Sequence, residues 1–285
     1  MQRIHNWVIK IIAHKDIDKR KWNEAVNRIE DQFNWFMHSD YLDALSNRWI
    51  AMVYGDYEAV FPLFSRFVFS KTFYQPFFTR AFSIVGSVDD EIQESMAYAL
   101  SNLKAKGCIS VEGNSFLKPN ALCQKLEVSL SSYSSNTKRN IKKAVANGLE
   151  LSPISVNQFL EFYKAETKKK LKTYKPKHFK MLSKILKGEL DKKRLILNSV
   201  NKNGEVLSVA AVLQNQDKAL YLCAAINEEG KKMGASHFLV HMLIENNRSI
   251  WNELDFGGSN VEGVARFYKS FGATDFSYTQ LHLGE

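Results

Sequence analysis

Apolar residues recur along the chain at two spacings, every second position in short runs and every third or fourth in longer ones, so strands and amphipathic helices alternate throughout. In the first half, residues 7–13 predict a strand and residues 18–36 a helix, with Trp22, Ala25, Val26, Ile29 and Phe33 at helical spacing. The β-rich runs 49–54 and 58–63 flank Gly55-Asp56, a hairpin signal. An aromatic tract over 64–82 follows. Residues 82–88 predict another strand, 89–106 a helix with an acidic first turn and a basic last turn closed by Gly107, and 108–112 a strand.

The second half repeats this order. Residues 125–130 predict a strand, and Ser134 or Ser135 caps a helix through Asn147, ended by Gly148 in left-handed conformation. Residues 149–154 are extended, Ser155 caps a helix through Leu171, and Pro176 opens another that ends near Asp191. The runs 195–200 and 206–213 flank a second hairpin turn. Strand 219–226, helix 235–247, strand 252–256, helix 262–271 and strand 276–283 complete the chain. The expected architecture is α/β with mixed sheets, in two domains, 1–124 and 125–285, joined by a poorly periodic linker at 114–124.

Composition leaves this picture as that of a globular protein: of 285 residues, 45% are apolar and 24% charged, with 14 Gly and 5 Pro. Disorder, collagen and low complexity are excluded. The apolar run at 7–13 is interrupted by Lys10 and is too short for a signal core, and no stretch approaches the roughly 18 apolar residues of a membrane span. Cys108, Cys123 and Cys223 form no C-x-x-C pair, so they read as reduced thiols of a cytoplasmic chain rather than a disulfide scaffold or zinc ribbon.

Charge sharpens the question of partners. The net charge is +9, and between Lys164 and Arg194 thirteen Lys or Arg face only Glu166, Glu189 and Asp191, a local excess of +10. Lys138, Arg139, Lys142 and Lys143 form a smaller cluster upstream. Solvated helix faces account for such lysines; an electrostatic collar for a polyanion is the functional alternative.

After the strand ALYLCAAI, Asn227-Glu228-Glu229-Gly230-Lys231-Lys232-Met233-Gly234-Ala235-Ser236 leads into an apolar helix. A small-residue turn at a helix start presents unpaired N–H groups and the positive dipole end, which suits a diphosphate. An ordinary tight turn has the same sequence signature.

Lys231-Lys232-Met233-Gly234-Ala235-Ser236 resembles the pyrophosphate loop of the GNAT N-acyltransferases, Gln/Arg-x-x-Gly-x-Gly/Ala, with Lys and Ser at the first and last positions. The run from Ala265 to Ala273 is similar to the family's helix ending in Tyr-x-x-x-Gly-Phe, with Ala273 replacing Phe. The segment Asn136 to Ala144 with Gly148-Leu149, and Asp255-Phe256-Gly257-Gly258-Ser259, resemble the Fem-like branch, which carries two tandem GNAT domains and includes transferases that add amino acids to peptidoglycan precursors. The resemblance covers most of 125–285, and the first half only through element order.

The resemblance implies two tandem GNAT-like domains and transfer of an acyl group from acetyl-CoA or another acyl-CoA to an amine, without a metal. It places the carrier at Lys231, Lys232, Met233, Gly234, Ala235 and Ser236, and gives Tyr268 the role of proton donor to the leaving thiolate. Asp255 and Glu262 are candidates to receive the ammonium proton, and Ser259 and Arg139 to position the acceptor. Ser259 with Glu262 also reads as a helix capping box. The first domain's equivalent loop ends in Asp89-Asp90-Glu91, where acids repel an anion, so that domain reads as a structural or acceptor-shaping partner without a carrier site.

Rival signals are weaker. Asp255-Phe256-Gly257 copies the kinase magnesium motif, but no G-x-G-x-x-G or H-R-D accompanies it. His237, His241 and Glu245 share a helical face at a spacing compatible with a metal, without a further ligand in the sequence. Within the family the alternative donor is an aminoacyl-tRNA, which the basic stretch would serve as a phosphate footprint. The remaining alternative is a non-catalytic binder of anions or nucleic acid on a degenerate fold.

Overall fold

A computed structural model describes residues 9–28, 35–65, 72–170, 174–257 and 261–284. They divide into two units, Met1–Ala121 with Ser277–Glu285, and Leu122–Phe276. The last nine residues, which the sequence pattern assigns to the second half, therefore group with the first unit.

In unit 1 the elements are β1 (Ile9–Ile12), α1 (Lys19–Asn27), α2 (Ser39–Leu45), β2 (Trp49–Tyr54), β3 (Ala59–Phe64), β4 (Thr72–Phe73), β5 (Phe82–Ser83), β6 (Val85–Gly86), α3 (Asp90–Ser101) and β7 (Lys106–Glu112). Asp18 caps α1 by accepting the N–H groups of Arg20 and Lys21, and Trp22, Ala25 and Val26 form the buried stripe. The helix is shorter than the pattern predicts, and Ile29 and Phe33 lie outside the described residues. The short helix α2 was not foreseen. The run expected as one strand at 82–88 is two short strands, β5 pairing with β7 and β6 with β3. Helix α3 stops at Ser101, so Lys106 and Gly107 open β7 instead of closing the helix. A Cβ on Gly107 would stand 2.0 Å from the carbonyl oxygen of Phe73, which is why the second residue of that strand is glycine. Within the aromatic tract Phe64, Phe73 and Phe82 are buried, Phe64 and Phe82 stacking at 5.6 Å; Tyr74, Phe77 and Phe78 are half-buried, and Phe67 and Phe69 lie outside the described residues. Asp89 accepts the N–H of Ile92, so its carboxylate already occupies the start of α3.

Unit 2 contains β8 (Ala121–Glu127, its first residue in unit 1), α4 (Ser135–Ala146), β9 (Glu150–Pro153), α5 (Val156–Lys170), α6 (Pro176–Asp191), β10 (Leu195–Lys202), β11 (Glu205–Asn215), β12 (Lys218–Ile226), α7 (Glu228–Met233), α8 (Ala235–Asn247), β13 (Glu253–Asp255), α9 (Glu262–Lys269) and the start of β14 (Thr274–Leu283). The expected linker thus runs directly into β8. The strand order is β8-β13-β12-β11-β10-β9. Only β12 and β13 pair in parallel; the other neighbours are antiparallel. Ala210 and Val212 of β11 pack with Phe238, Leu239 and Leu243 of α8 in the main core. The alternate residues Val209, Ala211 and Leu213 face the other side and are equally buried, where α5 packs on β11 and β12. A sheet covered on both faces explains why β11 reads as an unbroken apolar run.

Candidate active site at a fork between parallel strands

Strands β12 and β13 stay paired for three residues, Lys218 to Leu220 against Glu253 to Asp255, and β13 then ends. Strand β12 continues to Ile226, and a register shift against β11 at Tyr221 to Cys223 marks a bulge. Among the described residues no strand pairs with β12 beyond Leu220 on the side that β13 has left. Tyr221 and Phe256 are the first residues past the separation on each side. Above them lies Tyr268 of α9, its ring stacked on Phe256 at 4.4 Å and edge-on to Tyr221 at 6.2 Å.

Burial pushes the Tyr268 hydroxyl up to about 12, with the neighbouring Cys223 and Asp255 adding to the rise. The phenol is therefore protonated across the physiological range. Burial also holds the Cys223 thiol far above its ordinary range, Tyr163 acting in the opposite sense as its hydrogen-bond partner. A thiol so held is no nucleophile at neutral pH. The hydroxyls of Tyr163 and Tyr174 lie 3.1 Å apart and bring α5 to the same group. Asp255 is buried, and its Oδ1 accepts the N–H of Gly257 at 2.7 Å while Lys125 Nζ stands 3.8 Å from Oδ2. That carboxylate fixes the turn after β13, close enough to Tyr268 to influence its proton.

At the other end of β12 the chain does not form an open loop, as the sequence suggests, but a short helix. Asn227 caps α7 by accepting the N–H of Gly230 at 2.7 Å and donates to the carbonyl of Val206. Gly234 then takes a left-handed conformation, φ +79°, and opens α8 without a side-chain cap. A Cβ on Gly234 would meet the Asn140 carbonyl oxygen at 2.5 Å, and one on Gly230 the Leu207 carbonyl at 2.7 Å. Both glycines are thus required by packing within the unit, which by itself accounts for the Gly-x3-Gly spacing. A cleft of ≈ 290 Å³ lies at this junction, bordered by Ile226, Lys231, Gly234, Ser236, His237 and Phe267. Burial pushes His237 below its ordinary value, so it is neutral at pH 7.

The structure brings some sequence candidates together and separates others. Gly234, Ser236 and Lys231 border the cleft; Met233 packs against the core and Ala235 is fully buried. Lys231 and Lys232 pair with Glu228 and Glu229 one turn earlier, at 2.6 and 3.5 Å, so their charge is partly compensated. Tyr268 and Asp255 meet at the fork. Glu262 does not join them: its side chain is 87% exposed and pairs with Arg266, and the residue before α9 is Val261, which makes no side-chain cap. Arg139 is exposed on α4 and bonds Asn136. Ser259 lies outside the described residues. Thr137, from the Asn136–Ala144 motif, is buried and donates to Ser270 at the end of α9, so that motif clasps α4 to the helix carrying Tyr268. His241 contacts the Tyr133 hydroxyl at 3.2 Å, and among the described residues no cluster of His, Cys, Asp or Glu is arranged to hold a metal. The sequence assigns Tyr221 and Tyr163 no role, and points to Phe256 only within the Asp255–Ser259 segment and to Cys223 only as a reduced thiol. A tyrosine and a cysteine within an otherwise aliphatic strand were the available signal.

Residues 131–270 match the family model for the acetyltransferase (GNAT) domain. The chain has a GNAT-superfamily fold of the Fem-like kind. It superposes on the crystal structure of FemX with a TM-score of 0.63 at 12% identity, covering 96% of this chain and 97% of that one. A conserved protein of unknown function from Bacteroides thetaiotaomicron gives the same TM-score, 0.63, at 10% identity over 96% and 98%. The C-terminal domain (DUF2156) of an Agrobacterium fabrum protein assigned as a lysylphosphatidylglycerol synthetase gives 0.57 at 9% identity over 94% and 92%. No curated protein sequence matches the chain. Among the described residues no helix is long and apolar enough to cross a membrane.

Proposed function

We propose that this protein is an N-acyltransferase that moves an acyl group from an acyl-coenzyme A to an amine, with the chemistry at the β12/β13 fork. The observation that carries this reading is the position of Tyr268, a protonated phenol stacked over the point where two parallel strands part. The free edge of β12 offers N–H and C=O groups to an extended, amide-containing arm. The uncapped start of α8, with the Ser236 hydroxyl beside it, fits the diphosphate end, while Lys231 adds a partly neutralised charge that attracts more than it specifies.

When bound, the carrier supplies a thioester whose carbon the amine attacks and whose thiolate departs. Tyr268 donates a hydrogen bond to the departing sulfur. Its raised pKa widens the gap to an ordinary thiol near 8.5 from about 1.5 units to about 3.5, so stabilisation by hydrogen bonding outweighs complete proton transfer. Asp255 is a candidate to receive the proton released by the amine, its Oδ1 accepting from Gly257 and its Oδ2 lying 3.8 Å from Lys125 Nζ.

Thermal unfolding with acetyl-, longer acyl- and free coenzyme A tests the reading. A carrier at a hundred times its dissociation constant adds about 2.7 kcal/mol and raises the midpoint by several degrees. No shift with any of the three at millimolar concentration overturns it. A second reading, aminoacyl transfer from a charged tRNA, draws on the likeness to FemX over 96% of the chain and on lysines such as Lys164, Lys168 and Lys180 of α5 and α6, which have no ion-pair partner among the described residues; a shift with charged tRNA alone favours it.

A further inference from the structure

Helices α5 and α6 border a second recess, of ≈ 630 Å³. Its floor is apolar, with Leu160 and Ala165 from α5 and Phe179 from α6, and Lys164, Lys168 and Lys180 stand around it. Leu160, Lys164 and Lys168 follow one another at intervals of four, so a single stripe of α5 presents both the apolar and the basic groups. The acids nearby do not balance these lysines. Glu166 is paired with Lys169 and Glu189 with Lys192, each on its own helix or at its end. Among the described residues Lys164, Lys168 and Lys180 have no ion-pair partner, and the one carboxylate in the lining is Glu161.

We propose that this recess binds a single-chain anionic amphiphile, an alkyl chain ending in a phosphate monoester. Three ammonium groups against one carboxylate leave a surplus of two, which matches a phosphate of charge about −1.5 to −2 at pH 7. The volume and the mostly apolar lining with a few charges are those of a small-molecule pocket. A bilayer is disfavoured because the large apolar residues of the lining do not protrude: Leu160 is half-buried and Phe179 buried. Nucleic acid is disfavoured because Phe179, the aromatic residue of the lining, is only 8% exposed and offers no face for a base. The lining shares no residue with the cleft at the start of α8.

Isothermal titration of the full chain decides it, with decyl phosphate kept below its micelle concentration as the probe. Inorganic phosphate, decyl maltoside, phosphatidylglycerol vesicles and tRNA serve as comparisons. Decyl phosphate should bind saturably at one site, and inorganic phosphate and the neutral detergent each at least about tenfold more weakly. Combining Lys164→Gln, Lys168→Gln and Lys180→Gln should weaken decyl phosphate by about tenfold or more. Ala165→Trp, at an exposed position, should fill the floor and weaken it similarly, with an unchanged unfolding midpoint. Absence of saturable binding overturns the proposal. So does retention of affinity within about twofold in either variant, or binding of tRNA or vesicles through the three lysines where decyl phosphate does not bind.

Discussion

The ring of Tyr268 lies on the ring of Phe256 at 4.4 Å with only 15° between their planes, so a residue of α9 is fixed over the end of β13. Stacking of this kind contributes about 0.5–1.5 kcal/mol beyond buried area and restricts the phenol to one orientation. Position and protonation are thus set by different features, the first by Phe256 and Tyr221, the second by burial beside Cys223 and Asp255.

Tyr268→Phe separates the two. The ring and its stacking remain, and the donor is lost. Turnover should fall by about 10² to 10⁴ while affinity for acyl-coenzyme A and the unfolding midpoint change little. Because the hydroxyl is held at about 12, the wild-type rate should show no loss from its ionisation up to pH 10. Normal turnover in the folded variant would reduce Tyr268 to a packing residue.

Gly234→Ala tests the start of α8. Its φ of +79° and the 2.5 Å approach to the Asn140 carbonyl leave no room for a Cβ, so the variant should lose about 1–3 kcal/mol of stability. A bulkier residue here would disturb the apo fold as well as any carrier site. Ser236→Ala is the cleaner probe, since Ser236 borders the same cleft without such a constraint. It should weaken carrier binding by about tenfold or less at unchanged stability; wild-type affinity would exclude its hydroxyl from the site.

Asp255 and Glu262, both candidates for the ammonium proton, should behave oppositely. Glu262→Ala removes an exposed ion pair with Arg266 and should alter neither turnover nor stability beyond about 0.5 kcal/mol. Asp255→Ala leaves the part-buried N–H of Gly257 without its acceptor and should cost about 1 kcal/mol or more and most of the turnover. Equal effects of the two on turnover would contradict the assignment made from the fork.

Unit 2 was read from sequence nearly element by element because its signals are local. Ser134, Ser155, Pro176 and Gly148 mark helix ends by their own chemistry, and α8 starts at Ala235 where the apolar helix pattern does. Unit 1 was less legible where tertiary contacts decide. The start of β7 depends on Gly107 passing against Phe73, residues far apart in the chain. The site divides in the same way. Tyr268 and Gly234 sit in recognisable motifs. The Tyr221–Phe256–Tyr268 stack and the Tyr163–Cys223 contact join separate elements, and no spacing encodes them. Ser-x-x-Glu at 259–262 misled for the complementary reason: a capping box requires Glu at the third helical position, and Glu262 is the first.

The pH dependence of stability should be set near neutrality by histidines. Burial lowers His237 and His241, and burial together with Lys177 and Lys175 lowers His178. As pH falls through about 6.5 the unfolded chain takes up these protons first, so it binds more protons than the folded one and unfolding becomes easier. Stability should therefore rise with pH between about 5 and 7, by at most about 1.4 kcal/mol per unit for each histidine. The carboxylates held low, Asp43, Asp275 and Glu245, act in the same direction but near and below their ordinary values, in a separate, more acidic window. Urea unfolding at pH 5, 6 and 7 measures the slope. His237→Gln combined with His241→Gln should flatten it, whatever the change in absolute stability. An unchanged slope would assign the acid sensitivity to other groups and leave the two rings as neutral packing elements around Phe267, Phe271 and Tyr133.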